Sequence, residues 1–116
     1  MSNSPINVDR LLDRFEYDRP FLQELFGIFL ESMEEHLGVL DQANNQHDAI
    51  QGREAAHIIA GASANVGAEA VNASASKLES HYISKDVNAA AKELVRLKEE
   101  CTKTKVFILD YLKTNE

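Results

Sequence analysis

The chain has 116 residues, 44% hydrophobic and 27% charged, with a net charge of −7 and a sequence pI near 5.0. That length holds one domain with one modest core, and the acidic balance disfavours a nucleic-acid binder or attachment to an anionic membrane surface. A single cysteine leaves no internal disulfide framework, and no apolar run approaches the roughly 20 residues of a membrane span.

Residues 1–6 read as a flexible leader. They lack the basic and apolar regions of an export signal, so a cytoplasmic location is expected. Asn7 is placed to cap a short helix carrying Val8, Leu11, Leu12 and Phe15. Tyr17 to Arg19 interrupts it, and Pro20 suits the start of a second helix reaching Asn44. The stripe of that helix is Leu22, Leu25, Phe26, Phe29, Leu30, Met33, Leu37 and Leu40. Phe21, Ile28 and Val39 lie off the stripe, and Glu24, Glu31, Glu34, Glu35 and Asp41 oppose it. Asn44, Asn45 and Gln46 make a polar break.

A third helix starts at His47 or Asp48, with Asp48 as cap, and ends between Asn65 and Gly67. Gly67 is positioned to take positive φ and turn the chain. A fourth, from Ala68 to Ile83, buries Val71, Ala75, Leu78 and Tyr82. After Ser84 and Lys85, Asp86 caps a fifth helix running to Lys113. Its stripe is Val87, Ala90 or Ala91, Leu94, Leu97, Cys101, Ile108 and Leu112, with Phe107 and Leu109 beside it. Four long amphipathic helices on short links predict an all-α fold, an antiparallel up-down four-helix bundle. The short first helix covers one end, in a single domain over 1–116.

The third helix carries the chemistry. Ile58, Ile59, Ala62 and Val66, with Ile50 and Ala55, are expected on its core side. His57, Ala60, Gly61 and Ala64 are expected on the other, which makes a lone imidazole on ground almost free of side-chain bulk. Gly61 within a helix costs about 1 kcal/mol against Ala, so it points to close approach by something large.

Ala56, His57, Ile59, Gly61, Ala62, Ser63, Val66, Gly67 and Ala68, followed by Leu78 and Glu79, resemble the signature of one family. It is the histidine-containing phosphotransfer (HPt) domains of two-component phosphorelays, with a pattern close to A-H-x-L-K-G-S-[SA]-x-x-[LVIF]-G-[AL] and then L-E. The resemblance puts the phosphorylated histidine on His57, with Nε2 as the nucleophile toward a receiver's aspartyl phosphate. It implies a phosphoryl carrier, not an enzyme, that passes the group on to another receiver. The partners implied are receiver domains of response regulators or hybrid sensor kinases. The receiver supplies Mg²⁺ and a lysine, so no cofactor or metal is expected of this chain, and the protein is expected to be a monomer.

The other ring nitrogen needs a partner to fix its tautomer. Glu79 is the first candidate and Ser76, three residues earlier, the second. The family's lysine three residues after the histidine is Ala60 here. Arg53, one turn before His57, is placed to supply the missing cation, with Lys77 and Lys85 more remote. Ala60, Gly61 and Ala64 form the expected docking ground, and Phe21, Phe26 and Ile28 are candidates for extending it. The same departure admits an alternative, a degenerate docking module that binds receivers without efficient transfer. A di-metal centre needs two Glu-x-x-His pairs. Glu54 and His57 make one, while His36, His47 and His81 follow Met33, Asn44 and Leu78 at that spacing. Cys101 falls on the apolar stripe, where a buried, inert thiol is expected.

Overall fold

The computed structural model describes residues 4–114. Among these residues there are five helices and no strand: α1 (Val8–Arg14), α2 (Arg19–Gln46), α3 (Ala49–Asn65), α4 (Glu69–Ile83) and α5 (Val87–Thr114). Four starts carry a side-chain cap. Asn7 Oδ1 accepts the Arg10 N–H at 3.1 Å, and Asp18 accepts that of Phe21 at 3.0 Å. Asp48 accepts from Gln51 at 3.0 Å and Asp86 from Ala89 at 3.1 Å. Each cap satisfies an otherwise orphaned donor and contributes about 0.5–2 kcal/mol.

The stops are set by backbone conformation. Gly67 at φ 69 ends α3, as its position predicts. His47 at φ 53 and Lys85 at φ 57 turn the chain after α2 and α4, each followed directly by its capping aspartate. Helix α2 continues past Asn44 to Gln46 because that polar residue is used in packing. The Tyr82 hydroxyl donates to Asn44 Oδ1.

The core draws on every helix: Leu11 and Leu12, then Leu22, Phe26, Phe29, Met33 and Leu40, then Ile59, Val71, Leu78, Leu97 and Ile108 among others. Phe26 of α2 and Tyr111 of α5 meet edge to face at 5.6 Å between centroids. Farther along the same two helices Glu34 pairs with Lys105, and Asp41 with Lys98 at 2.5 Å. Helices α4 and α5 are joined where Ser74 donates to Glu93 at 2.6 Å.

Several expectations change. Met1 to Asn3 of the expected leader lie outside the described residues, while Ile6 is buried in the core. Its side chain, with Leu11 and Leu12, is apolar enough to be drawn under α1. Ile50 and Ile58 are not core residues; they are 75% and 43% exposed. The buried face of α3 is Gly52, Ala55, Ala56, Ile59, Ala60 and Ser63, so Ile59 is the one bulky side chain there and the rest of what faces the neighbouring helices is small. On α5 it is Ala90, not Ala91, that packs inward, and Thr104 joins it with its hydroxyl on Glu100 O at 2.8 Å. Val87 and Leu109 are exposed.

Cys101 is buried, and its thiol is pushed up to about 12, first by burial and then by Glu100. Burial, with Asp41, raises the Tyr82 phenol to about 12 as well. Both groups are held protonated by the fold. The stability they contribute is therefore complete below the unfolded values, 9.0 and 10.0 here, and is lost as pH rises from there toward 12. Denaturant midpoints are expected to fall across that window. The native thiol is expected to resist iodoacetamide at pH 8 and to react on unfolding.

Candidate functional site

His57 projects from the middle of α3 with its side chain 75% exposed. Its Nδ1 lies 3.0 Å from Oε2 of Glu79 on α4. An ionised carboxylate can only accept, so the proton sits on Nδ1 and the Nε2 lone pair faces solvent. The pairing expected for Glu79 is thus made. It spans the two helices that flank the Gly67 turn, with Glu79 three-quarters covered and its ring partner open.

Around the ring, Arg53, Glu54, His57, Ile58 and Glu79 line a shallow hollow of about 350 Å³. Arg53 is exposed on this rim and has no ion-pair partner among the described residues. Ser76 is exposed on α4 but makes no hydrogen bond to His57; its carbonyl accepts the Ser80 hydroxyl at 3.2 Å. Gly61 and Ala64 are exposed beyond the histidine, and a Cβ built on Gly61 would meet nothing within 4 Å.

Ala60 differs from the open ground expected of it. It is 8% exposed and turned toward α4. Its carbonyl accepts Asn72 Nδ2 at 2.7 Å and the buried Ser63 hydroxyl at 3.0 Å. Of the apolar candidates for extending the surface, Phe26 is fully buried, whereas Phe21 and Ile28 are 42% and 57% exposed. Asp41 and Glu34 mark the flank of α2 that meets α5. At about 100° per residue Ile28 falls on the opposite flank, toward α3, whereas Phe21 lies past the end of α3 and packs edge to face on Phe15 at 5.1 Å between centroids.

Asn72 escaped the reading of the sequence. It stands seven residues before Glu79, two turns away on one face of α4. That spacing was the available signal: the two polar side chains reach α3 together, one to the backbone at Ala60 and one to the ring of His57.

The Hpt domain family model matches residues 24–105, which include the histidine, its glutamate and both supporting helices. The chain belongs to the Hpt domain family. The HPt fold is also met in the crystal structure of the HPT domain from an Hpt sensor hybrid histidine kinase from Shewanella. That domain is 22% identical over 95% of each chain, with a TM-score of 0.82. No curated protein matches the chain. Hpt domains are phosphocarrier modules that interact with receiver domains in two-component systems, and membership supports a phosphorelay histidine phosphotransfer role. No helix among the described residues is long and apolar enough to cross a membrane.

Proposed function

We propose that this HPt domain carries a phosphoryl group on Nε2 of His57, taking it from the aspartyl phosphate of one receiver domain and giving it to another. The observation that carries the reading is the ring itself, three-quarters exposed, with Nδ1 engaged by Glu79 and Nε2 left clear. The Nε2 lone pair attacks phosphorus, the N–P bond forms, and the P–O bond to the aspartate breaks with its electron pair leaving on the carboxylate. Positive charge grows on the imidazole during attack, and Glu79 stands where it offsets that charge. Gly61 and Ala64 give the receiver room to close over the ring. Ser76, exposed on the adjoining helix, is assigned to the receiver contact and not to the ring.

Arg53 is the cation we assign to the phosphoryl oxygens in place of the family's lysine. Ala60 is covered by α4, so a lysine there would have to thread its stem past Asn72. We read the scaffold as an antiparallel up-down bundle of α2 to α5 with α1 covering one end. Support comes from the α2–α5 contacts, Phe26 with Tyr111, Glu34 with Lys105 and Asp41 with Lys98, which run in opposite sequence directions. A cytoplasmic monomer without independent catalysis completes the reading.

The test is transfer from a panel of phosphorylated receivers, followed by acid lability of the label. Native chain that takes no label from any receiver it binds would leave a docking module that has lost the relay. Glu79→Gln and Arg53→Gln are each expected to slow labelling about two- to fivefold, the scale of an exposed charge contact of 0.2–1 kcal/mol. Unchanged rates in both would remove these residues from the chemistry.

A further inference from the structure

The start of α4 is anchored differently from the other helix starts. Asn7, Asp18, Asp48 and Asp86 cap α1, α2, α3 and α5, whereas Ala68 before α4 makes no side-chain cap. The first turn of α4 is instead tied to the neighbouring helix by Asn72, whose Nδ2 donates to Ala60 O of α3 at 2.7 Å. Only the nitrogen of the amide can donate to a carbonyl, so the partner fixes the orientation of this side chain. Asn is also a poor helix former, and its place within α4 asks for a tertiary reason.

The tie lies close to the reacting group. Ala60 is three residues after His57, and Asn72 is seven before Glu79, about 10 Å along α4 on the same face. Glu79 meets α3 at the ring of His57, and Asn72 meets it at the next turn. The packing around these two bonds is shallow. Of the six buried positions on α3 five are Gly, Ala or Ser, and α4 brings Ser74 and Ala75 among its own. Ridges built of such small residues resist a slide or roll of one helix on the other less than large side chains do. The bond from His57 to Glu79 is less tolerant: at 3.0 Å it is made, and at about 3.6 Å it would not be.

We propose that Asn72 is a positioning residue for the phosphoryl chemistry. Its clasp on Ala60 sets the register of α4 on α3 and so keeps the Glu79 carboxylate at Nδ1–H, which leaves the lone pair on Nε2. Asn72 acts through Glu79 and makes no hydrogen bond to the ring. The inference rests on His57 as the phosphoryl carrier for its consequence, but not for its geometry.

The experiment compares Asn72→Asp with the native full chain. Asp has nearly the shape of Asn and suits the first turn of a helix, but its carboxylate cannot donate. Ala60 O keeps the Ser63 hydroxyl at 3.0 Å, so no buried acceptor is stranded. Asn72→Ala, which removes the donor and favours the helix, is run beside it. Two-bond ¹⁵N–¹H spectra of the His57 side chain, taken where imidazoles are neutral, read the tautomer with no phosphate present. The native ring is expected in the Nδ1–H form, and both variants as a mixture with the Nε2–H form, with the amide spectrum of the folded chain kept. Receiver-dependent labelling is expected to slow about two- to fivefold in each, as in Glu79→Gln, and no further when Glu79→Gln is combined with either. A structural role alone would leave the tautomer in place and add its effect to that of Glu79→Gln. The inference is overturned by a native ring that is already mixed, by the native tautomer retained in both variants, or by additive losses in the double variants. A native chain that takes no label removes the relay reading instead, and the ring spectra still decide whether Asn72 places Glu79.

Discussion

Replacing His57 by Gln is expected to abolish the acid-labile label that a phosphorylated receiver transfers to the native chain. The effect is all or none because the amide of Gln has no nucleophilic lone pair to replace Nε2. It is also clean. The ring is three-quarters exposed, and Gln is a good helix former. The variant should therefore melt with the native chain, within about 0.5 kcal/mol of its stability. Glu79 loses a partner but keeps contact with water, so no buried charge is stranded. Phosphorylation followed by acid treatment, with a melt run alongside, checks both halves. Acid-labile label persisting on His57→Gln would move the carrier role to another histidine, His36, His47 or His81.

The second large effect comes from making one substitution at two places in α3. A Cβ on Gly52 would lie 2.5 Å from Cζ of Tyr82, and the neighbouring ring carbons are nearly as close. That ring cannot swing aside freely, since it is 7% exposed and its hydroxyl is tied to Asn44. Gly52→Ala is expected to cost about 1–3 kcal/mol, overpacking outweighing the gain in helix propensity. At Gly61 the added methyl meets open space. Gly61→Ala is expected to gain up to about 1 kcal/mol and, at the same time, to slow receiver-dependent labelling, because the methyl stands on the ground a receiver must cover. Chemical unfolding of the two variants should therefore move in opposite directions. A Gly61→Ala chain that is both more stable and fully active would show that the bare surface serves nothing.

The pattern of the sequence carried the helices well because their boundaries are written in local chemistry. Asn7, Asp48 and Asp86 cap where capping residues are expected, and Gly67 turns the chain with positive φ. His57 and Glu79 were legible because a signature names them. The faces of α3 were harder. Hydrophobic periodicity weights Ile50 and Ile58, but where two helices pack close the inward positions go to Gly, Ala and Ser, which carry little hydrophobic signal. Ala60 was misplaced for that reason. Asn72 was invisible alone, since a polar residue on a helix reads as solvated until a partner helix is brought against it.

The helices are unequal: α2 and α5 have 28 residues each, α3 has 17 and α4 has 15. At 1.5 Å per residue the long pair spans about 42 Å and α3 about 26 Å, and the longest dimension of the molecule is 42 Å. The beginning of α2 and the end of α5, joined by Phe26 and Tyr111, thus form an arm on which α1 lies, while His57 and Glu79 stand on the shorter pair. Such a division makes the outer end of the arm a place where the chain can be lengthened or fused to another module with little mechanical disturbance reaching the histidine. The same carrier could then be mounted in different assemblies without redesign of its working end.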